Sequence, residues 1–98
     1  MKTVILEKLR ETVAQWARNH NIETTVIEVK PSGIASGVHI LVVARQGFEN
    51  WHWSARERDL FRFLRSRFNG TNDFVITRLE TLTEEEYEKY AEVEVAPS

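Results

Sequence analysis

Ninety-eight residues without a cysteine are enough to bury one core, but they exclude disulfides, thiolate zinc sites and thiol catalysis. The formal net charge of −2 argues against attraction of the whole chain to nucleic acid or an anionic membrane, so any such binding depends on a local patch. The sequence becomes charged early in MKTVILEKLR and has no apolar run near the ~20 residues that span a bilayer, and we expect a soluble cytoplasmic protein.

The first half of the chain predicts one helix and two strands. Apolar residues recur at helical spacing over 2–19, and residues 23–30 are rich in β-branched side chains. Strand 23–30 is expected to place three side chains on one face: Thr25, Ile27 and Val29. A loop with Gly33 and Gly37 leads into 38–45, VHILVVAR, which is too short and too β-branched for a typical helix and should form the central strand.

A second helix is predicted to follow. Ser54 precedes Glu57 by three residues, a capping-box pattern, and the helix is expected to run to about Phe68 with Asn69-Gly70 as its left-handed stop. Its core face is expected to carry four residues: Leu60, Phe61, Leu64 and Phe68.

The remaining residues predict a third strand over 73–82 and a short third helix over 84–91. Thr83 and Glu86 repeat the capping-box pattern at the start of that helix. Three consecutive glutamates in its first turn suit the positive end of a helix dipole.

The element order α-β-β-α-β-α indicates one small α+β domain over 1–98. We expect a three-stranded sheet with the helices packed on one face. The ordered core should cover about 2–91, with 92–98 as a frayed tail.

This order and several local residues resemble the BolA family, whose fold is related to the type II KH domain. The entry into the second strand reads Gly37-Val38-His39-Ile40, and the chain then passes Phe48 into an arginine-rich helix. The end of the third strand reads Leu82-Thr83-Glu84-Glu85-Glu86, similar to the Leu-x-Thr-x-Glu-Glu of the family. The resemblance is best over 37–87 and implies a BolA/KH-like fold.

Two functional motifs of the related families are absent from this sequence. The family's third-strand histidine, an iron–sulfur ligand in complexes with monothiol glutaredoxins, falls near Thr77, and threonine is not a plausible ligand for a soft iron centre. No Gly-x-x-Gly clamp of the KH type is present, since Gly33 and Gly37 are one residue too far apart. We expect neither a metal nor a cofactor.

Aromatic and basic residues are concentrated between residues 46 and 68. The candidate binding surface consists of nine residues: Trp51, His52, Trp53, Arg56, Arg58, Arg62, Phe63, Arg65 and Arg67. Arginine forks bind carboxylate or phosphate, and aromatic rings add stacking faces or hot-spot anchors. The alternative is a structural one, in which the arginines are solvated or pair with Asp59 or the acidic last helix.

The two tryptophans of the WHW triplet have two interpretations as well. Ser54 as the helix cap puts Trp53 just before the helix, where it either packs on the first turn as a hydrophobic staple, the favoured interpretation, or is an exposed anchor for a partner. Trp51 is either a second core residue or an exposed anchor for a partner. His20, His39 and His52 have no partner at metal-ligand spacing.

No nucleophile–base set, phosphate loop or cofactor motif occurs, and we therefore predict a binding module rather than an enzyme. The favoured function is contact with a partner protein, or self-association between the acidic C-terminal segment and the arginine helix. The alternative is binding of single-stranded RNA or another polyanion through the arginine helix.

Overall fold

The computed structural model of the chain describes residues 3–68 and 74–95. Within these ranges the predicted order α-β-β-α-β-α is confirmed. The elements are α1 (Thr3–Asn19), β1 (Glu23–Pro31), β2 (Gly37–Gln46), α2 (Trp53–Arg67), β3 (Val75–Thr83) and α3 (Glu84–Val95).

Local sequence explains the buried faces of α1 and α2 and the end of α1. Leu9, Val13 and Trp16 recur at helical spacing and are fully buried, so α1 packs its apolar stripe on the core. The helix ends where Asn21 adopts a left-handed φ of 55°, a conformation that asparagine tolerates. Leu60 and Leu64 of α2 are buried as expected, and Phe68 packs against the core. The predicted core position of Phe61 is wrong, because its side chain is 38% exposed.

The sheet has the order β1-β2-β3, with β2 in the centre as predicted. β1 runs antiparallel to β2, and β3 runs parallel to it after the crossover through α2. Alternate residues of β2 are buried in the core cluster formed with α1 and α2: Val38, Ile40, Val42 and Ala44. The two helices α1 and α2 therefore form one layer that covers this face of the sheet and closes the core.

The structure differs from the prediction in the face of one β1 residue and in the end of α3. The β1–β2 register shifts between Thr24 and Val26, and this bulge leaves Thr25 exposed, not on the buried face with Ile27 and Val29. α3 continues to Val95, beyond the predicted end at 91 and into the segment expected to fray. The predicted helix stop at Asn69-Gly70, residue 73 of the predicted third strand and residues 96–98 of the tail lie outside the described residues.

None of the described helices combines the length and apolar character required to traverse a bilayer.

Candidate functional site: a basic and aromatic surface on the second helix

The N-terminus of α2 is capped by a histidine. His52 is the N-cap residue, and its Nδ1 accepts a hydrogen bond from the Ser54 amide at 3.2 Å. The predicted Ser54–Glu57 capping box is therefore wrong: Ser54 lies inside the helix, 2.9 Å from the same Nδ1, and Glu57 is engaged elsewhere.

The two neighbouring tryptophans have different environments. Trp51 is half-buried and packs on the core, with its ring 5.7 Å from Trp16 and 6.4 Å from Phe48. Trp53 is 54% exposed, and its ring stacks on His52 at 5.6 Å. The predicted staple is wrong because Trp53 is the first residue of the helix, not the residue before its cap. Trp53 is thus the exposed aromatic side chain of the pair.

Arg56 does not belong to the exposed surface to which the sequence assigned it. It is 3% exposed, and its guanidinium stacks 4.5 Å above the Phe48 ring. Its five N–H donors form five hydrogen bonds. They reach Thr81 Oγ1 (2.9 Å), the carbonyls of Thr81 (2.9 Å), Trp51 (2.9 Å) and Phe48 (3.4 Å), and Glu86 (2.8 Å). Arg56 therefore joins α2 to β3, to α3 and to the loop before α2.

The two acidic residues of α2, Glu57 and Asp59, bind groups outside the helix and not its arginines. Glu57 accepts the Thr81 amide at 2.9 Å, and Asp59 accepts the indole N–H of the fully buried Trp16 at 2.8 Å. His20 Nε2 is also 3.0 Å from Asp59. Together Glu57 and Arg56 occupy the amide and the carbonyl of Thr81, which closes this part of the β3 edge to another strand.

Three arginines remain on the outer side of α2: Arg58, Arg62 and Arg65. All three are exposed, and none forms a salt bridge with a carboxylate of the described residues. The pairing with Asp59 considered from the sequence is not formed, because that carboxylate faces α1. We call these three residues the arginine row.

Two phenylalanines of α2 carry guanidinium groups over their rings. Arg67 lies 4.7 Å above the half-buried Phe63, and its Nη1 is 3.4 Å from Gln15 of α1. Arg65 lies 5.8 Å above the exposed Phe61. Cation–π contacts of this kind restrict the rotamers of both arginines.

His20 was not a candidate from the sequence, yet it belongs to the same end of the molecule. Its ring lies 5.3 Å from Trp16 and 5.0 Å from Trp51, and it contacts Asp59. His20 and Asp59 are 39 residues apart, and no local pattern marks such a pair. The cluster fixes the C-terminal end of α1 against α2.

The acidic start of α3 is largely paired within the chain. The Thr83–Glu86 capping box is confirmed by reciprocal bonds of 2.8 and 3.1 Å. The Thr83 amide, and after it the Arg56 guanidinium, hold the pKa of Glu86 below its usual range against the opposing effect of burial. Glu84 pairs with Arg45 at 3.7 Å and Glu85 with Lys89 at 3.5 Å.

The arrangement on α2 is suited to binding anions and aromatic groups. No cluster of three His, Asp or Glu side chains close enough to hold a metal occurs in 3–68 and 74–95. Comparisons with protein-family profiles, with curated proteins and with solved structures find no match. The resemblance to the BolA family therefore stays a prediction that rests on the residues quoted above.

Proposed function

We propose that this chain is a non-catalytic binding module, BolA-like in fold, that contacts a partner protein through the outer surface of α2. The contact surface comprises His52, Trp53 and the arginine row. The observation that carries the proposal is the position of Trp53, which is 54% exposed at the start of the helix that also carries the arginine row. Tryptophan and arginine are, with tyrosine, the residues enriched at the energetic centres of protein interfaces.

The exposed indole represents binding energy that folding leaves unused. A tryptophan buries roughly 150–250 Å² when covered, so a side chain about half exposed leaves on the order of 100 Å² in water. At about 25 cal/mol per Å², covering it contributes roughly 2–3 kcal/mol to an interface. Its stacking on His52 limits the rotamers that an interface has to freeze.

Selection from a displayed random peptide library tests the proposal. Peptides enriched on the wild-type protein should bind the Trp53→Ala variant at least tenfold more weakly, as expected for the loss of roughly 1.4 kcal/mol or more. Tyr90→Ala is the matched control, because Tyr90 is an aromatic residue 40% exposed on α3. Enriched peptides that bind Trp53→Ala and wild type equally, or a selection that enriches nothing, would refute the proposal.

The arginine row favours one second candidate, binding of single-stranded RNA. Phosphate binding by a row of guanidinium groups releases counterions, so the RNA affinity should fall steeply between about 50 and 200 mM salt. Titration of a decauridylate RNA over that range measures this dependence. Saturable binding that weakens when the arginine row is replaced by glutamine would support RNA binding; a flat titration at low salt excludes it.

A further inference from the structure

The outer surface of α2 carries positive charge that the helix's own acidic residues do not neutralise. Glu57 is directed to the Thr81 amide and Asp59 to the Trp16 indole, so both carboxylates are used on the inner side of the helix. Two exposed arginines elsewhere are compensated: Arg45 lies 3.3 Å from Glu23, and Arg78 lies 3.3 Å from Glu80. Arg10 and Arg18 of α1 are exposed and, like the arginine row, form no salt bridge with a described carboxylate. The arginine row differs from Arg45 and Arg78 because no described carboxylate lies within salt-bridge distance of it. It differs from Arg10 and Arg18 because its three arginines lie within about two turns of one helix face.

The row also has a defined geometry. Its members lie at positions i, i+4 and i+7 of one helix. At 1.5 Å per residue, the row is about 10 Å long. Arg65 is ordered by the Phe61 ring beneath it at 5.8 Å, which reduces the entropy lost when the guanidinium binds. Carboxylates spaced by one helical turn match this row, and each guanidinium offers a two-pronged fork to one carboxylate.

From the charge and the geometry we infer that the partner is an acidic protein segment, with carboxylates along the arginine row. This inference rests on the proposed function and names the chemistry of its partner. The surface of one helix of this length is small, so the contact should be transient and weaker than a standard-size interface.

The same surface is less suited to nucleic acid. Successive bases of a single strand need free ring faces along the basic groove, but Phe61 and Phe63 already carry the guanidinium groups of Arg65 and Arg67. The chain's net charge of −2 adds long-range repulsion of a polyanion. A short acidic segment has less charge and needs no base stacking.

A matched pair of variants with the same net charge tests the inference. One replaces the row (Arg58→Gln, Arg62→Gln and Arg65→Gln), and the other replaces three exposed arginines outside α2 (Arg10→Gln, Arg18→Gln and Arg45→Gln). The probe is a helical peptide with glutamates one turn apart and one leucine stripe. The row variant should bind it about tenfold or more weakly, and the control variant within about threefold of wild type.

A second peptide in which glutamine replaces glutamate completes the design, and binding is measured by fluorescence anisotropy. Equal losses in the two variants, or equal affinity for the two peptides, would overturn the inference. Tighter binding of decauridylate than of the acidic peptide would also overturn it, in favour of nucleic acid.

The Trp53→Ala variant separates the inference from the proposed function. If acidic-peptide binding needs the row but not Trp53, the inference stands while the proposed anchor at Trp53 fails. If library peptides depend on Trp53 but bind the row variant as tightly as wild type, the proposed function stands and the acidic partner is excluded.

Discussion

Replacement of Arg56 by methionine tests how α2 is held on the rest of the molecule. The buried guanidinium donates to Thr81, Phe48, Trp51 and Glu86, and all its N–H groups are used. Methionine retains an unbranched apolar stem that can pack on the Phe48 ring, but it leaves the three carbonyl oxygens and the carboxylate without these donors.

The expected loss in the free energy of unfolding is about 2–6 kcal/mol, because two buried carbonyl groups lose a donor. Glu86 is 46% exposed and recovers water, and the Phe48 carbonyl keeps the Trp51 amide at 3.1 Å. Most of the loss therefore comes from the carbonyl groups of Thr81 and Trp51, each costing about 1–3 kcal/mol when left without a donor. Against a total stability of about 5–15 kcal/mol, this change can bring the domain close to unfolding. Arg56→Lys keeps the charge but has three donors on one nitrogen, and we expect a loss of about 2–3 kcal/mol.

Urea unfolding followed by tryptophan fluorescence measures these differences. Arg62→Met is the control, because Arg62 is exposed on the same helix and should change stability by no more than about 0.5 kcal/mol. The reasoning is refuted if Arg56→Met costs less than about 1 kcal/mol, the value of a single ordinary hydrogen bond.

Three further predictions concern the His52 cap, the carboxylate of Glu86 and the two tryptophans of the WHW triplet. His52→Ala should lower the free energy of unfolding by about 1 kcal/mol, while His52→Asn restores an N-cap acceptor; equal losses in urea titrations would argue against the cap. Because the pKa of Glu86 is lowered in the folded chain, its stabilisation is present above the ordinary carboxyl pKa and is lost as the pH falls through the folded value. The stability difference between wild type and Glu86→Gln in urea should therefore shrink in acid, and a constant difference from neutral to acidic pH would contradict the sign. Trp51→Ala should cost about 2–4 kcal/mol and Trp53→Ala less than about 1 kcal/mol; the reverse order in thermal unfolding would show that the two environments are exchanged.

Local patterns predicted the elements well where no distant group competed for them. The Thr83–Glu86 capping box formed as its spacing indicates, since both residues lie at one helix start. The Ser54–Glu57 pattern has the same spacing but did not form a capping box, because Glu57 instead accepts a hydrogen bond from the Thr81 amide, 24 residues away. A capping-box spacing indicates which bonds are available, but the tertiary contacts decide which of them form.

The candidate surface was predicted in part for the same reason. Helical spacing correctly placed the arginine row on the outside, but it also assigned Arg56 to the outside, where nothing local indicates a buried fork to β3 and α3. Whether Trp51 or Trp53 is exposed depends on which residue caps α2, and the cap is His52, a residue type that is uncommon at this position.

The stability of the domain and the character of its surface have a common origin in α2. Asp59 satisfies the indole of the fully buried Trp16, and Glu57 satisfies the amide of Thr81, so each stabilises a part of the core that would otherwise hold a polar group without a partner. Directing these carboxylates inward also removes the negative charges that would neutralise Arg58 and Arg62. Asp59→Ala should accordingly lower stability while leaving acidic-peptide binding by the folded protein intact, because the arginine row does not depend on that carboxylate for its position. A loss of peptide binding larger than the loss of folded protein would show instead that Asp59 orients the row.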